Sequence, residues 1–151
     1  MIVVDRVWDA ADIPPRAHSY SSDTVTLGWE ERTRAHGRRT SGGGIEFGTS
    51  LPRGTVLGRG DVFVLDEARV LVSVVERDEP VFVIAPGSPH QWALFAYHIG
   101  NRHQPMMIAN GSIVCPDAPG VEQLLQQHRM PYTRATLAFT PVAATGHHHH
   151  G

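Results

Sequence analysis

The chain holds one cysteine, Cys115, among 151 residues. A lone thiol excludes an internal disulfide and any four-cysteine zinc site, and it suits a reducing compartment. No apolar run approaches the ~20 residues that a membrane-spanning helix needs. The opening stretch, "MIVVDRVWDA", lacks a basic segment leading into an apolar one, so a cytoplasmic protein without a membrane partner is expected. A dominant charge is missing too. Thirteen basic and 15 acidic side chains leave a net −2, which gives no global support to a nucleic-acid partner. There is no P-loop, and "SGGG" at 41–44 reads as an ordinary loop. Ser88 and Ser112 lack a nucleophile elbow, and no His-Glu-x-x-His exists to build a zinc protease.

What remains is enough for a folded protein. Hydrophobic residues make up 41% of the chain, and the length suits one ordinary domain or two small ones. The first half reads as short strands. "MIVVDRVW" is β-branched, "DTVTLGW" alternates with Val25, Leu27 and Trp29 on one face, and "RVLVSVVE" looks buried. "VLGRGDVFVLD" places apolar segments on both sides of a turn at 58–61. No helical period appears in this half, which predicts a small β-barrel or sandwich. "WEERTRAHGRRTSGGG" is basic through Arg32, Arg34, Arg38 and Arg39. It reads as a solvated strand pair and turn, with an anion or protein contact as the alternative.

The second half changes period. After the strand "EPVFVIAP", Ser88 is a good N-cap, Pro89 takes the first helical position and Gln91 completes a Ser-x-x-Gln capping box. Trp92, Phe95, Ala96 and Ile99 then share one helical face, and Gly100-Asn101 is a plausible stop. Asn110-Gly111 is a two-residue hairpin turn, and a second helix aligns Val121, Leu124, Leu125 and His128. "YTRATLAF" is a last strand. The order strand, helix, strand, strand, helix, strand predicts a ferredoxin-like domain. The fold class is therefore α+β: a β-rich domain over 1–76, a ferredoxin-like domain over 77–141, and a disordered histidine-containing tail over 142–151. Nothing after Phe139 is expected to pack.

Histidine is the one chemically suggestive residue type. His98 and His103 are five apart, which on a continuous helix separates them by ~140° and prevents them from chelating one ion together. His98 reads as a packing or hydrogen-bonding residue. His103 lies just beyond the helix stop, at the surface. One imidazole holds a divalent ion poorly, but a two-fold axis beside it would supply two. Imidazole suits nickel, copper and zinc. The run His147, His148, His149 and His150 is a compositional metal-binding signal; four histidines closed by a glycine would make a poor affinity tag. A small metal-dependent hydrolase would need a carboxylate partner and a pocket, which the sequence does not nominate. A general nickel or zinc buffer is the other alternative.

Three segments together resemble the urease accessory protein E family, nickel metallochaperones for urease. "YHIGNRHQP" at 97–105 matches the family signature Tyr-His-Leu-Gly-Asn-Arg-His-x-Pro, "LPRGTVLGRGDVFVLD" at 51–66 matches its Leu-Pro-Arg-Gly-Thr segment, and "FTP" at 139–141 precedes the histidine tail. The resemblance spans nearly the whole chain. It implies a β-rich domain followed by a ferredoxin-like one, no enzymatic activity, and a homodimer. It also implies nickel bound at the dimer interface by His103 of each chain, with His147–His150 as further ligands and with zinc or copper able to compete. The implied partners are the urease accessory GTPase and the apo-urease complex. Some members carry more histidines after the hairpin; the matching stretch here, "VCPDAP", has none, and Cys115 reads as a small buried hydrophobe rather than a substitute ligand.

Overall fold

The computed structural model describes residues 1–142. The chain divides into two compact units that meet in sequence between Arg77 and Asp78. The expectations for the tail at 143–151, including His147–His150, lie outside the described residues.

The first unit contains strands β1 (Ile2–Val4), β2 (Trp8–Asp9), β3 (Ser21–Leu27), β4 (His36–Thr40), β5 (Glu46–Ser50), β6 (Asp61–Leu65) and β7 (Val70–Glu76), with a one-turn helix α1 (Trp29–Arg32). They form two sheets, ordered β1-β5-β4 and β2-β6-β7-β3. Val25 and Leu27 from β3, Phe47 from β5, Phe63 and Leu65 from β6 and Val72 and Val74 from β7 share one core. The Phe47 and Phe63 rings, one from each sheet, lie 5.3 Å apart at 57°, a favourable tilted contact.

Three details differ from the sequence reading. "MIVVDRVW" is not one strand: β1 pairs with β5 in one sheet and β2 with β6 in the other. "WEER" forms α1, which Glu31 caps by accepting a hydrogen bond from the Gly28 backbone at 3.0 Å. A single turn is too short to show a helical period. The basic run is also only half solvated. Arg34 and Arg38 are exposed, but Arg32 is fully buried and Arg39 is 4% exposed. On β4 the exposed positions are His36, Arg38 and Thr40, so the pleat sends Arg39 inward. There it packs over Gly37, where a Cβ would sit 3.2 Å from the guanidinium carbon.

The second unit contains β8 (Glu79–Ile84), α2 (Pro89–Asn101), β9 (Met107–Ala109), β10 (Ser112–Pro116), α3 (Val121–Gln127) and β11 (Thr133–Leu137). The sheet order is β11-β8-β10-β9, all antiparallel, which is the ferredoxin-like arrangement. Asn110 and Gly111, both with positive φ, turn the β9–β10 hairpin. Phe95 and Ile99 of α2 and Val121 and Leu125 of α3 pack with Phe82, Ile84, Ile113 and Cys115 of the sheet. No helix among the described residues is long and apolar enough to cross a membrane.

The segment after β11 packs further than its composition suggests. Phe139 is fully buried and Pro141 is buried too. The Val142 backbone donates to the Met106 carbonyl at 2.7 Å. The expectation that nothing beyond Phe139 packs therefore fails for residues 140–142. The reason is a backbone hydrogen bond, which hydropathy does not report.

Candidate metal centre

Helix α2 sets the position of His103. At its start, the Ser88 hydroxyl accepts from the Gln91 backbone at 3.1 Å. The Gln91 side chain accepts from the Gly87 backbone at 2.6 Å, one residue before the position that the capping-box pattern predicts. Phe95 and Ile99 anchor one face in the core. At its end, the helix runs through Asn101 with Arg102 as C-cap, slightly past the predicted stop.

His103 is the residue after that cap. Its backbone donates to the Gly100 carbonyl at 2.9 Å, and Gln104 donates to the Ile99 carbonyl at 3.2 Å. These are the two bonds of a Schellman motif, whose central residue is left-handed and usually glycine. Here it is His103, with φ of 53°. A left-handed L-residue costs ~1–2 kcal/mol. Arg69, Asn110 and Arg129 share a positive φ, so the conformation places the His103 side chain without assigning it a role. The imidazole is exposed and makes no hydrogen bond among the described residues. Both ring nitrogens are therefore open to a ligand, at the negative end of the α2 dipole, which favours a bound cation by ~0.3–1 kcal/mol.

His98 and His128 come together without His103. Their rings stack with centroids 3.9 Å apart and planes 13° apart. Tyr97 meets His98 edge-on at 5.2 Å. His128 is the C-cap of α3, and burial together with the neighbouring His98 and Arg102 pushes its pKa below the usual histidine value. The sequence placed His128 on the core-facing stripe of α3 but gave no sign of a partner on α2, since that pairing depends on how the two helices pack.

Cys115 lies fully buried on β10, and burial pushes its thiol up to about 12. A metal needs the thiolate, which this site disfavours by ~3 powers of ten relative to an ordinary thiol. Among the described residues, no three histidine, cysteine or carboxylate side chains converge on one point. Any centre anchored by His103 therefore needs ligands from beyond the described part of this chain.

Sequence comparison adds the family. A model of the UreE urease accessory protein N-terminal domain matches residues 4–76, and one of its C-terminal domain matches residues 79–151. Among curated relatives, the urease accessory protein UreE of Burkholderia ambifaria is 33% identical over 130 residues, covering 85% of this chain and 64% of its own length. The chain thus spans about two thirds of that longer relative. The UreE protein of Citrobacter koseri is 31% identical over 83% of this chain and 87% of its own. That of Nostoc punctiforme is 32% identical over 91% and 93%. With both domain models matched in order, and relatives that share nearly the whole length, the chain belongs to the UreE family of urease accessory proteins, which are chaperones and not enzymes.

Proposed function

We propose that the chain is a nickel metallochaperone that serves urease assembly in the cytoplasm, with one nickel ion anchored by His103 of each chain in a symmetric dimer. The observation that carries this reading is the presentation of His103: an exposed imidazole with no hydrogen bond among the described residues, held at a helix end in a backbone conformation that glycine would fill at lower cost. Leu94 and Tyr97 on the same helix are 41% and 62% exposed, and they offer apolar surface for a second copy.

The tail histidines assist. The Val142–Met106 bond brings the chain back beside the His103 loop before the tail begins. His147 is five residues beyond Val142, a reach of up to ~18 Å at ~3.6 Å per residue, and His103 is at most ~11 Å of chain from Met106. His147–His150 can therefore reach the anchor and complete its coordination. The partners are the urease accessory GTPase and the apo-urease complex. Within the basic run, docking falls to the exposed Arg34 and Arg38, since Arg39 is a core residue.

The test is nickel titration of the full chain, of His103→Ala and of a chain with the four tail histidines replaced by asparagine, with native mass measurement of each. About one tight ion per dimer, lost on His103→Ala, supports the reading. Several weak ions, lost only with the tail histidines, would make the protein a buffer and sink the delivery role. Zinc and copper titrations measure competition at the same site.

A further inference from the structure

We propose that His98 and His128 form a second, intrachain binding site for a divalent ion of the nickel, copper or zinc class. The site is weaker than the His103 anchor and separate from it.

Stacking leaves the ring nitrogens of the pair unexplained. A half-buried histidine nitrogen without a protein partner is open to water or to a ligand. His98 and His128 are both half-buried, yet among the described residues none of their four ring nitrogens makes a hydrogen bond. Two phenyl rings would stack equally well, so packing accounts for the rings but not for the nitrogens.

The spacing suits chelation. Two imidazoles on a tetrahedral ion, at 2.0–2.1 Å each, place their nitrogens ~3.4 Å apart. The resting rings are 3.9 Å apart, centroid to centroid, with planes only 13° off parallel. In a near-parallel stack each ring's lone pairs lie in its own plane, so they do not meet at one point. Turning the rings about Cβ–Cγ, a soft torsion in histidine, aims them at a common point. The two backbones are well fixed. His98 lies within α2, next to the buried Ile99, and His128 is held by its own backbone bond to the Leu124 carbonyl.

The charges nearby set the strength. The Arg102 side chain donates to the Gln127 side chain at 3.0 Å, which holds a positive charge near the pair, and among the described residues no carboxylate bonds to either ring. Two imidazoles beside a guanidinium hold a dication loosely. His98 lies on α2 and His103 two residues past its end, five residues apart in sequence and so within ~18 Å along the chain. A loose site at that distance suits a stopping point for an ion on its way to or from the anchor. This inference rests on the proposed carrier role only for that use; the site itself stands on the two rings.

The test uses the full chain carrying His103→Ala, with His147–His150 replaced by asparagine. Nickel chloride is titrated while the histidine ring resonances are followed by NMR, since nickel broadens those nearest to it. The expected result is about one ion per chain, with His98 and His128 broadened first. Adding His128→Phe, which retains a ring for stacking, should weaken binding at least tenfold. His98→Phe should do the same, and it serves if the first variant melts early. Unbroadened His98 and His128 signals, or binding unchanged in both phenylalanine variants, overturn the site. Loss of the wild-type ion on His103→Ala is read separately, so the anchor and the second site can fail independently.

Discussion

The strained conformation of His103 leads to an unusual expectation: replacing the proposed metal anchor should stabilise the fold. The perturbation is His103→Gly. At φ of 53° the histidine carries a left-handed cost of ~1–2 kcal/mol, which glycine does not. Glycine also gains freedom in the unfolded chain, which returns ~0.4–1 kcal/mol. The net gain is about 0.5–1 kcal/mol. In a domain of this size that raises the melting temperature by roughly 3–6 °C. His103→Ala keeps a Cβ at the same backbone angle, so it gains nothing. Arg129 provides the control. It has φ of 54° after α3, and Met130 donates back to the Leu125 carbonyl in the same motif. Arg129→Gly should stabilise by a similar amount and leave nickel binding intact, whereas His103→Gly should abolish it. The assay is a thermal melt of chelator-treated protein by circular dichroism, paired with nickel titration. If His103→Gly melts no higher than His103→Ala, the strain argument fails. If His103→Gly still binds the tight ion, the anchor is elsewhere.

The buried and charged groups give four other expectations. Arg39 is 4% exposed, and among the described residues its Nε has no partner and its one bond goes to the Arg34 carbonyl at 2.8 Å. Arg39→Met should therefore be neutral or stabilising in urea denaturation, by ~0–2 kcal/mol. Arg32 should behave oppositely: it approaches Glu76 at 3.8 Å and donates to the Leu27 carbonyl, so Arg32→Met should lose about 3 kcal/mol. Cys115, with its thiol near 12, should resist thiol reagents at pH 8 in the folded state and react only at the unfolding rate; rapid labelling would refute the burial. Asp66 is held below its ordinary 3.8 by hydrogen bonds from Arg16 and Tyr20. Because its folded pKa is depressed, its contribution is fully present above ~3.8 and is lost as pH falls through the folded value. Asp66→Asn should flatten the acid limb of stability below that point, and an unchanged limb would refute the contribution.

The second unit was the more legible, for physical reasons. Its helix begins with a cap whose chemistry is local, and its hairpin turns on Asn110-Gly111, whose positive φ values only a few residues adopt readily. Such signals sit within four residues and need no tertiary context. The features that escaped depend on distant parts of the chain. Arg39 alternates correctly for a strand, but whether it points to water or the core depends on which face of β4 the second sheet covers. "MIVVDRVW" is apolar at both ends with Asp5-Arg6 between them, and nothing local shows that the two ends serve different sheets. The left-handed His103 was hidden because glycine, the usual sign of that conformation, is absent at the position. His128 was visible as a residue but not as a partner of His98.

The geometry of His103 bears on how a carrier can hold an ion and still release it. Backbone bonds to Gly100 and Ile99 fix where the residue starts, and no side-chain bond among the described residues fixes where the ring points. A ligand with a fixed Cα and a free ring reaches the ion without reorganising the fold. It also leaves without breaking any hydrogen bond but its own metal bond. Locking the ring with a second-shell acceptor would raise affinity, as resident metal sites do, and would slow release by the same factor if the on-rate stayed constant. Introducing a carboxylate beside His103, for example Gln104→Glu, should therefore tighten nickel and slow transfer to a chelator such as EDTA. If transfer slows by the same factor as equilibrium binding tightens, ring freedom is the term that sets release. If the Glu variant binds more tightly and gives up nickel as fast as wild type, the freedom of the ring has nothing to do with delivery.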